Sequence, residues 1–399
     1  MALIIELQSK AADSSSAWAL ITARKLRFSE VCQRMKPGIL LACLLLAAAG
    51  CGSKPAWEAL PLGTKADFRG IWFTDAMHGW IAGGSYEIIG GLVGRTSDGG
   101  RSWQYVSNLT QRDRGSVQSI HFFDTEKGIA TSGGEILTTI DAGASWTTVN
   151  RRGRVVGLSS LFFLDERRGW AAGTGDVIRT DDGGETWAPA ELPPSAGEDR
   201  NYRSPIRALQ FLDDRNGWTA GMHASLARTP DGGATWEAVS TPITGNECPN
   251  FWYLTFIDSQ FGWVVGEEGT MLSTTDGGIT WTRQSTGLKD AHSAPKLETI
   301  PRAGGSVTID AGDRTPGFTI SAVRFIDQKR GWITGFYPNL GRSLILRTQD
   351  GGATWRVDAD IAGEELYALF IQGRDTAWAI GARARPGAQA IYRRSLAER

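Results

Sequence analysis

Cysteine is nearly absent. The 399-residue chain has four, Cys32, Cys43, Cys51 and Cys248, at spacings that build neither a disulfide framework nor a zinc site. Histidine is as scarce: His78, His121, His223 and His292 are scattered through different units, none near another His, a Cys or a carboxylate cluster at ligand spacing, so neither a metal nor a cofactor is expected. Excess charge is missing too. The formal net charge is −1, which argues against a general binder of nucleic acid or of a membrane surface. The longest apolar run, 38-GILLACLLLAAAG-50, has thirteen residues, short of the roughly 20 that a membrane-spanning helix needs. It suits the apolar stretch of a signal peptide, which ends in small residues. An obvious carboxylate pair, Glu267-Glu268, sits in a tight turn, where neighbouring side chains diverge, which argues against paired acid–base work there.

Glycine and tryptophan are plentiful, at 50 and 16 residues. Glycines without a collagen period mean many turns. Hydrophobic residues make up 41% and aromatics 10% of the chain, enough for a substantial core.

Both abundant residues sit in repeats. The hairpin 91-GLVGRTSDGGRSW-103 returns as 134-GEILTTIDAGASW-146, 175-GDVIRTDDGGETW-187, 226-LARTPDGGATW-236, 269-GTMLSTTDGGITW-281 and 343-SLILRTQDGGATW-355. Each copy comes after a second motif, as in 73-FTDAMHGWIAG-83 or 211-FLDDRNGWTAG-221, and a seventh, weaker one reads 370-FIQGRDTAWAIG-381. Most steps between units are 41 to 49 residues, and one of 69 carries an insertion at about 284–317. A short apolar run, a polar turn, a second run from GWxxG, a third ending in Thr and a fourth beginning at Trp make four strands per unit. Short strands with turn signals at this period spell the blade of a propeller. Asp-Gly and Gly-Gly suit the tight turns because glycine tolerates positive φ.

The seventh unit lacks its last strand. Residues 56-AWEALPLG-63 resemble the segment just after the hairpin in other units, such as 235-TWEAVSTP-242, so a strand near Trp57 is expected to complete it. The reading is an all-β, seven-bladed β-propeller of four-stranded antiparallel blades, with the N-terminal strand closing the last blade. An open ring would leave a bare strand edge and uncovered apolar faces. Twelve tryptophans fall on repeat positions: Trp103, Trp146, Trp187, Trp236, Trp281 and Trp355 after the hairpins, and Trp80, Trp170, Trp218, Trp263, Trp332 and Trp378 in second strands. A buried Trp removes some 150–250 Å² from water, so these are packing devices.

The residues 48-AAGC-51 resemble the lipobox of bacterial lipoproteins, which implies lipidation of Cys51 and cleavage before it. Met35-Lys36 is then the natural start of a compact signal peptide, residues 35–50. Residues 1–34 become a dispensable leader, 51–55 an anchor linker and 56–399 the propeller. Segment 1–50 carries six Lys or Arg and three Asp or Glu, so its removal takes the formal charge from −1 to −4. Gly52 resembles the outer-membrane sorting class, which implies the periplasmic side of the outer membrane.

The Ser/Thr-x-Asp-x-Gly-x-Thr/Ser-Trp pattern resembles the Asp box, or BNR repeat. Its pairing with FxDxxxGWxxG resembles most closely the photosystem II assembly and stability factors, across nearly all of 56–395. The aspartates Asp98, Asp141, Asp182, Asp231, Asp276 and Asp350 read as turn formers, because a short carboxylate accepts turn N–H groups. Spread around a ring, they cannot build one active site. A sialidase-like glycosidase is the catalytic alternative, but the arginine motif that sialidases carry is missing and 204-SPIR-207 does not match it. A cell-surface adhesion or receptor module is the other alternative.

The inter-blade loops on the face opposite the Asp hairpins are left for recognition. They supply Arg112, Arg114, Arg151, Arg152, Arg154, Arg200 and Arg203, and the loop 242–253 adds Phe251, Trp252 and Tyr253. Arginine and aromatics are enriched at protein interfaces. The resemblance implies an arginine-rich patch presented to a client membrane protein. The expected molecule is a monomeric, non-enzymatic, lipid-anchored scaffold in the bacterial envelope that binds a membrane protein or complex and no nucleic acid.

Overall fold

The computed structural model describes residues 57–396 except 86–87, 108, 110–115, 150–155, 175, 191–203, 244–246, 289–296, 303–304, 311–316, 339 and 384–388. All of these fall in one compact unit, Pro55–Arg399. Seven four-stranded antiparallel sheets succeed one another along the chain. Blade 1 runs Asp67–Phe73, Gly79–Ser85, Ile88–Thr96 and Gln104–Ser107 from its innermost strand outwards, and blades 2 to 6 repeat that order. Blade 7 contributes Glu364–Gln372, Thr376–Arg383 and Ala390–Ser395, and its fourth strand is Glu58–Pro61 from the other end of the chain, with Leu60 opposite Ile391. A two-stranded hairpin, Leu297–Arg302 with Gly305–Asp310, lies within the insertion between blades 5 and 6.

One aromatic contact joins the blades. The second-strand Trp of a blade lies flat on the Phe that ends the innermost strand of the next. Trp80 stacks on Phe122 with centroids 3.6 Å apart, Trp170 on Phe211 at 3.7 Å, Trp218 on Phe256 at 3.9 Å and Trp263 on Phe325 at 3.6 Å. Trp378 of blade 7 stacks on Phe73 of blade 1 at 3.8 Å, so the same contact seals the ring. The Asp-box Trp of the Phe's own blade meets that ring edge-on, at 5.9 to 6.5 Å, in blades 1 to 6. Each such aromatic pair adds about 0.5–1.5 kcal/mol beyond its buried area. Several of the stacked indoles also donate Nε1–H to the turn of the next blade's hairpin: Trp80 to Ala142 O and Trp170 to Gly232 O at 2.9 Å, Trp218 to Gly277 O at 3.2 Å.

The glycine before each second-strand Trp is dictated by this packing. A Cβ on Gly217 would lie 2.5 Å from the Phe211 ring, and the equivalents in blades 1 to 6 span 2.3 to 2.7 Å. Blade 7 departs at both positions together, Ile371 standing where the others have Phe and pairing with Ala377 where they have glycine. Blade 2 has Ile129 in place of Trp, and it packs with Phe163 and Trp187.

Closure draws in more than the strand pairing. Trp57 Nε1 donates to Asp358 Oδ2 at 2.9 Å, Trp332 Nε1 to the same oxygen at 3.3 Å, and the buried Arg394 forms an ion pair with it. Tyr105 of blade 1 donates its hydroxyl to Leu62 O at 2.6 Å, and Leu62 N donates to Gln389 O at 2.9 Å.

Gly217→Ala is expected to cost about 1–3 kcal/mol in chemical denaturation, as overpacking does. Adding Phe211→Ile, which copies blade 7, should make the double variant more stable than the two single losses imply, by about 1 kcal/mol or more. Additive losses would contradict the steric account.

Candidate functional site

The six Asp boxes are closed local devices. In blade 5, Asp276 Oδ1 accepts from Thr280 N at 2.9 Å and from Thr274 Oγ1 at 2.8 Å, while Oδ2 accepts from Thr280 Oγ1 at 2.5 Å. Thr274 Oγ1 takes the Gly278 N–H, and Trp281 Nε1 donates to Gly278 O. Asp98, Asp141, Asp182, Asp231 and Asp350 repeat the pattern. The glycines adopt positive φ, +73° at Gly277 and +81° at Gly278, and in blade 2 Ala142 takes φ 60° in the first of these places. Hydrogen bonds from the Ser145 and Thr280 hydroxyls, then from backbone N–H groups, hold Asp141 and Asp276 down at about 2. Carboxylates so fully engaged have little capacity left for a substrate. The aspartate of the other motif is also a turn former: Asp75 Oδ1 accepts from Met77 N and His78 N, and Asp327 from Lys329 N and Arg330 N.

The loop arginines Arg112, Arg114, Arg151, Arg152, Arg154, Arg200 and Arg203 lie outside the described residues, as does Cys51. The aromatic trio corrects the sequence reading. Phe251, Trp252 and Tyr253 open the innermost strand of blade 5, Phe251–Phe256, rather than ending a loop. Phe251 is fully buried with Leu254 and Phe256, so it offers no surface to a partner. Trp252 and Tyr253 are half-buried and line the central channel.

Residues of all seven innermost strands line that channel, a cavity of about 540 Å³. Each of these strands shifts register against its neighbour near its start, between Phe68 and Gly70 in blade 1 and between Ile206 and Ala208 in blade 4. The bulged residue breaks the alternation of faces. Arg69, Arg207 and Trp252 occupy bulged positions and reach the cavity. The Arg69 guanidinium lies 5.2 Å from the Tyr367 ring centroid, Arg207 5.2 Å from Trp252, and Arg324 4.4 Å from Tyr253. His121 packs against Trp72 at 4.0 Å, and burial pulls it down to about 3, so the imidazole is neutral. Glu267 and Glu268 fall in a 3-10 turn, Cys248 is an exposed free thiol, and among the described residues no group of His, Cys, Asp and Glu could hold a metal.

Sequence reasoning missed the channel arginines. The available signal was the variability of the position four before each strand-ending Phe: Arg69, Gln118, Ser159, Arg207, Trp252 and Ser321.

The Asp-box carboxylates tie stability to pH. Their folded values lie below the ordinary one, so the unfolded chain takes up protons first as pH falls. Their stabilisation is present above about pH 4 and drains away towards pH 2. Asp276→Asn should lower the melting temperature at pH 7, monitored by circular dichroism, and the gap from the parent should narrow at pH 2. An unchanged melting temperature at pH 7 contradicts the turn-forming role.

Known proteins share this ring. A relative from Synechococcus sp. (strain CC9902), "Photosystem II assembly lipoprotein Ycf48", is 29% identical over 117 residues, 27% of this chain and 34% of the relative. The match thus spans about a third of that protein's length. A solved structure of YCF48 bound to D1 peptide shares the fold at TM-score 0.61 and 18% identity, covering 87% of this chain and 96% of the other. YCF48 from Cyanidioschyzon merolae does so at TM-score 0.59 and 17% identity, over 85% and 98%. A sequence model of the family described as "Photosynthesis system II assembly factor YCF48" matches residues 51–162, 156–246 and 199–289, well over half the chain and five of its repeat units. The chain belongs to the photosystem II assembly factor YCF48 family.

Proposed function

We propose that this protein is a non-enzymatic scaffold that binds a membrane protein and assists the assembly or stability of a membrane complex. The observation that carries the reading is the family match across residues 51–289. A relative of the same fold has been solved with a D1 peptide bound, which supports a peptide or protein as the client class. Saturated Asp-box carboxylates support a role other than catalysis, since general acid–base work needs a carboxyl free to exchange its proton.

The partner surface is the loop face. The arginines of three consecutive inter-blade connections, Arg112 and Arg114, Arg151, Arg152 and Arg154, and Arg200 and Arg203, form its charged part. Cys51 carries the anchor, a lipidated cysteine at the periplasmic face of the outer membrane, with residues 52–55 as tether. More than one acyl chain is required for firm anchoring. Such an anchor holds a monomeric ring beside membrane-embedded clients. The relative described as an assembly lipoprotein supports a lipid anchor.

Two experiments test it. The double variant Arg152→Glu/Arg154→Glu should recover several-fold less partner than the parent after crosslinking in intact cells, with an unchanged melting temperature; equal recovery rejects the patch. Cys51→Ser should move the protein from the membrane to the soluble fraction, and retention in the membrane fraction rejects the anchor.

A further inference from the structure

The channel has a charge composition that the scaffold role does not require. Among the described residues three arginines line it, Arg69, Arg207 and Arg324, and no Asp or Glu does. None of the three forms an ion pair with a described residue; each rests on an aromatic ring instead. The Arg207 Nε–H is buried without an acceptor, and its Nη2 meets only the Met222 sulfur, at 3.8 Å. A buried guanidinium donor left open is a position where an acceptor is missing. The acids nearby are engaged elsewhere. Glu267 accepts from Asn250 N and Nδ2 at 3.2 and 3.1 Å, and Glu365 accepts the Tyr367 hydroxyl at 2.7 Å.

Arg69 and Arg207 occupy the same bulged position in blades 1 and 4, at one end of the channel, with Arg69 exposed at the mouth and Arg207 half-buried. Burial first, then the charge of Arg69, lowers the proton affinity of Arg207. Aromatic rings share the lining with them, Trp72, Phe162, Trp252, Tyr253 and Tyr367, alongside polar side chains such as Gln118 and Gln210. A volume of about 540 Å³ falls in the range of small-molecule sites.

We propose that the channel is a binding site for a small organic acid, a carboxylate carried on an aromatic body. The carboxylate meets Arg207 and Arg69, whose planar forks suit its two oxygens. The aromatic body lies among Trp252, Tyr253 and Tyr367. The proposal rests on strand residues of the channel and uses none of the loop arginines, so the Arg152/Arg154 test and this one can fail separately.

The experiment titrates the purified protein with 4-phenylbutyrate, its neutral analogue 4-phenylbutyramide and the tripeptide Gly-Gly-Phe, read by tryptophan fluorescence and calorimetry. Saturable binding of the acid is expected, with the amide at least about tenfold weaker, since a charge-assisted hydrogen bond contributes more than the 1.4 kcal/mol that a factor of ten represents. Arg207→Gln and Arg69→Gln should each weaken the acid about tenfold and leave the amide unmoved, with melting temperatures near that of the parent. Arg207→Lys, which keeps charge but loses the fork, should fall between. Absent binding of the acid, equal binding of acid and amide, or arginine variants that bind like the parent would each overturn the proposal. Binding of the tripeptide without the acid would overturn it in favour of a chain terminus.

Discussion

The flat contact between a tryptophan of one blade and a phenylalanine of the next is the constraint on which the remaining structure depends. It accounts for several sequence features together. The Phe must end the innermost strand, the Trp must stand in the second strand, and the residue before that Trp must have no side chain, because the ring occupies the place of its Cβ. The Asp box then supplies the second indole, which meets the ring edge-on, and a turn carbonyl for the first indole's N–H. Sequence motif, hairpin geometry and inter-blade packing are one device repeated around the ring.

The exceptions obey the same rule. Blade 7 has no Asp box, and Glu58–Pro61 supplies its outer strand. There Ile371 replaces the Phe and Ala377 the glycine, so the smaller side chain and the added methyl accommodate each other. With no hairpin turn to receive its N–H, Trp332 donates to Asp358, which also holds Trp57 and Arg394. A single carboxylate near the seam thus gathers groups from both ends of the chain. The channel emerges from the other end of the innermost strands, where a shared bulge turns positions that differ between blades into a common lumen.

Much of this architecture was legible in the residues, because a repeat states its own period and Trp-rich hairpins announce their packing. The blade count, the closing strand near Trp57 and the structural use of Asp98 or Asp276 could all be read from spacing and turn chemistry. The site was less legible for a physical reason. Alternation assigns strand residues to faces by parity, and a bulge breaks parity without a distinctive residue. Parity therefore gives no sign that Arg69 and Arg207 reach a lumen, and Phe251, Trp252 and Tyr253 read as the end of a loop when they open a strand. Phe251 is core, and only its two successors face the lumen. The pairing of Ile371 with Ala377 was present in the sequence, but its meaning needed the distance between a Cβ and a ring.

A sealed ring has no free end, so opening any one seam should loosen the blades on both sides of it. Hydrogen–deuterium exchange of the Trp378→Ala protein tests this most directly. The account predicts faster exchange in Glu58–Pro61 and Ala390–Ser395 and in the innermost strand of blade 1, Asp67–Phe73, with blade 4 least affected. Protection equal to that of the parent across blades 7 and 1 would show that the ring closes by some other interaction, and the central claim would fail.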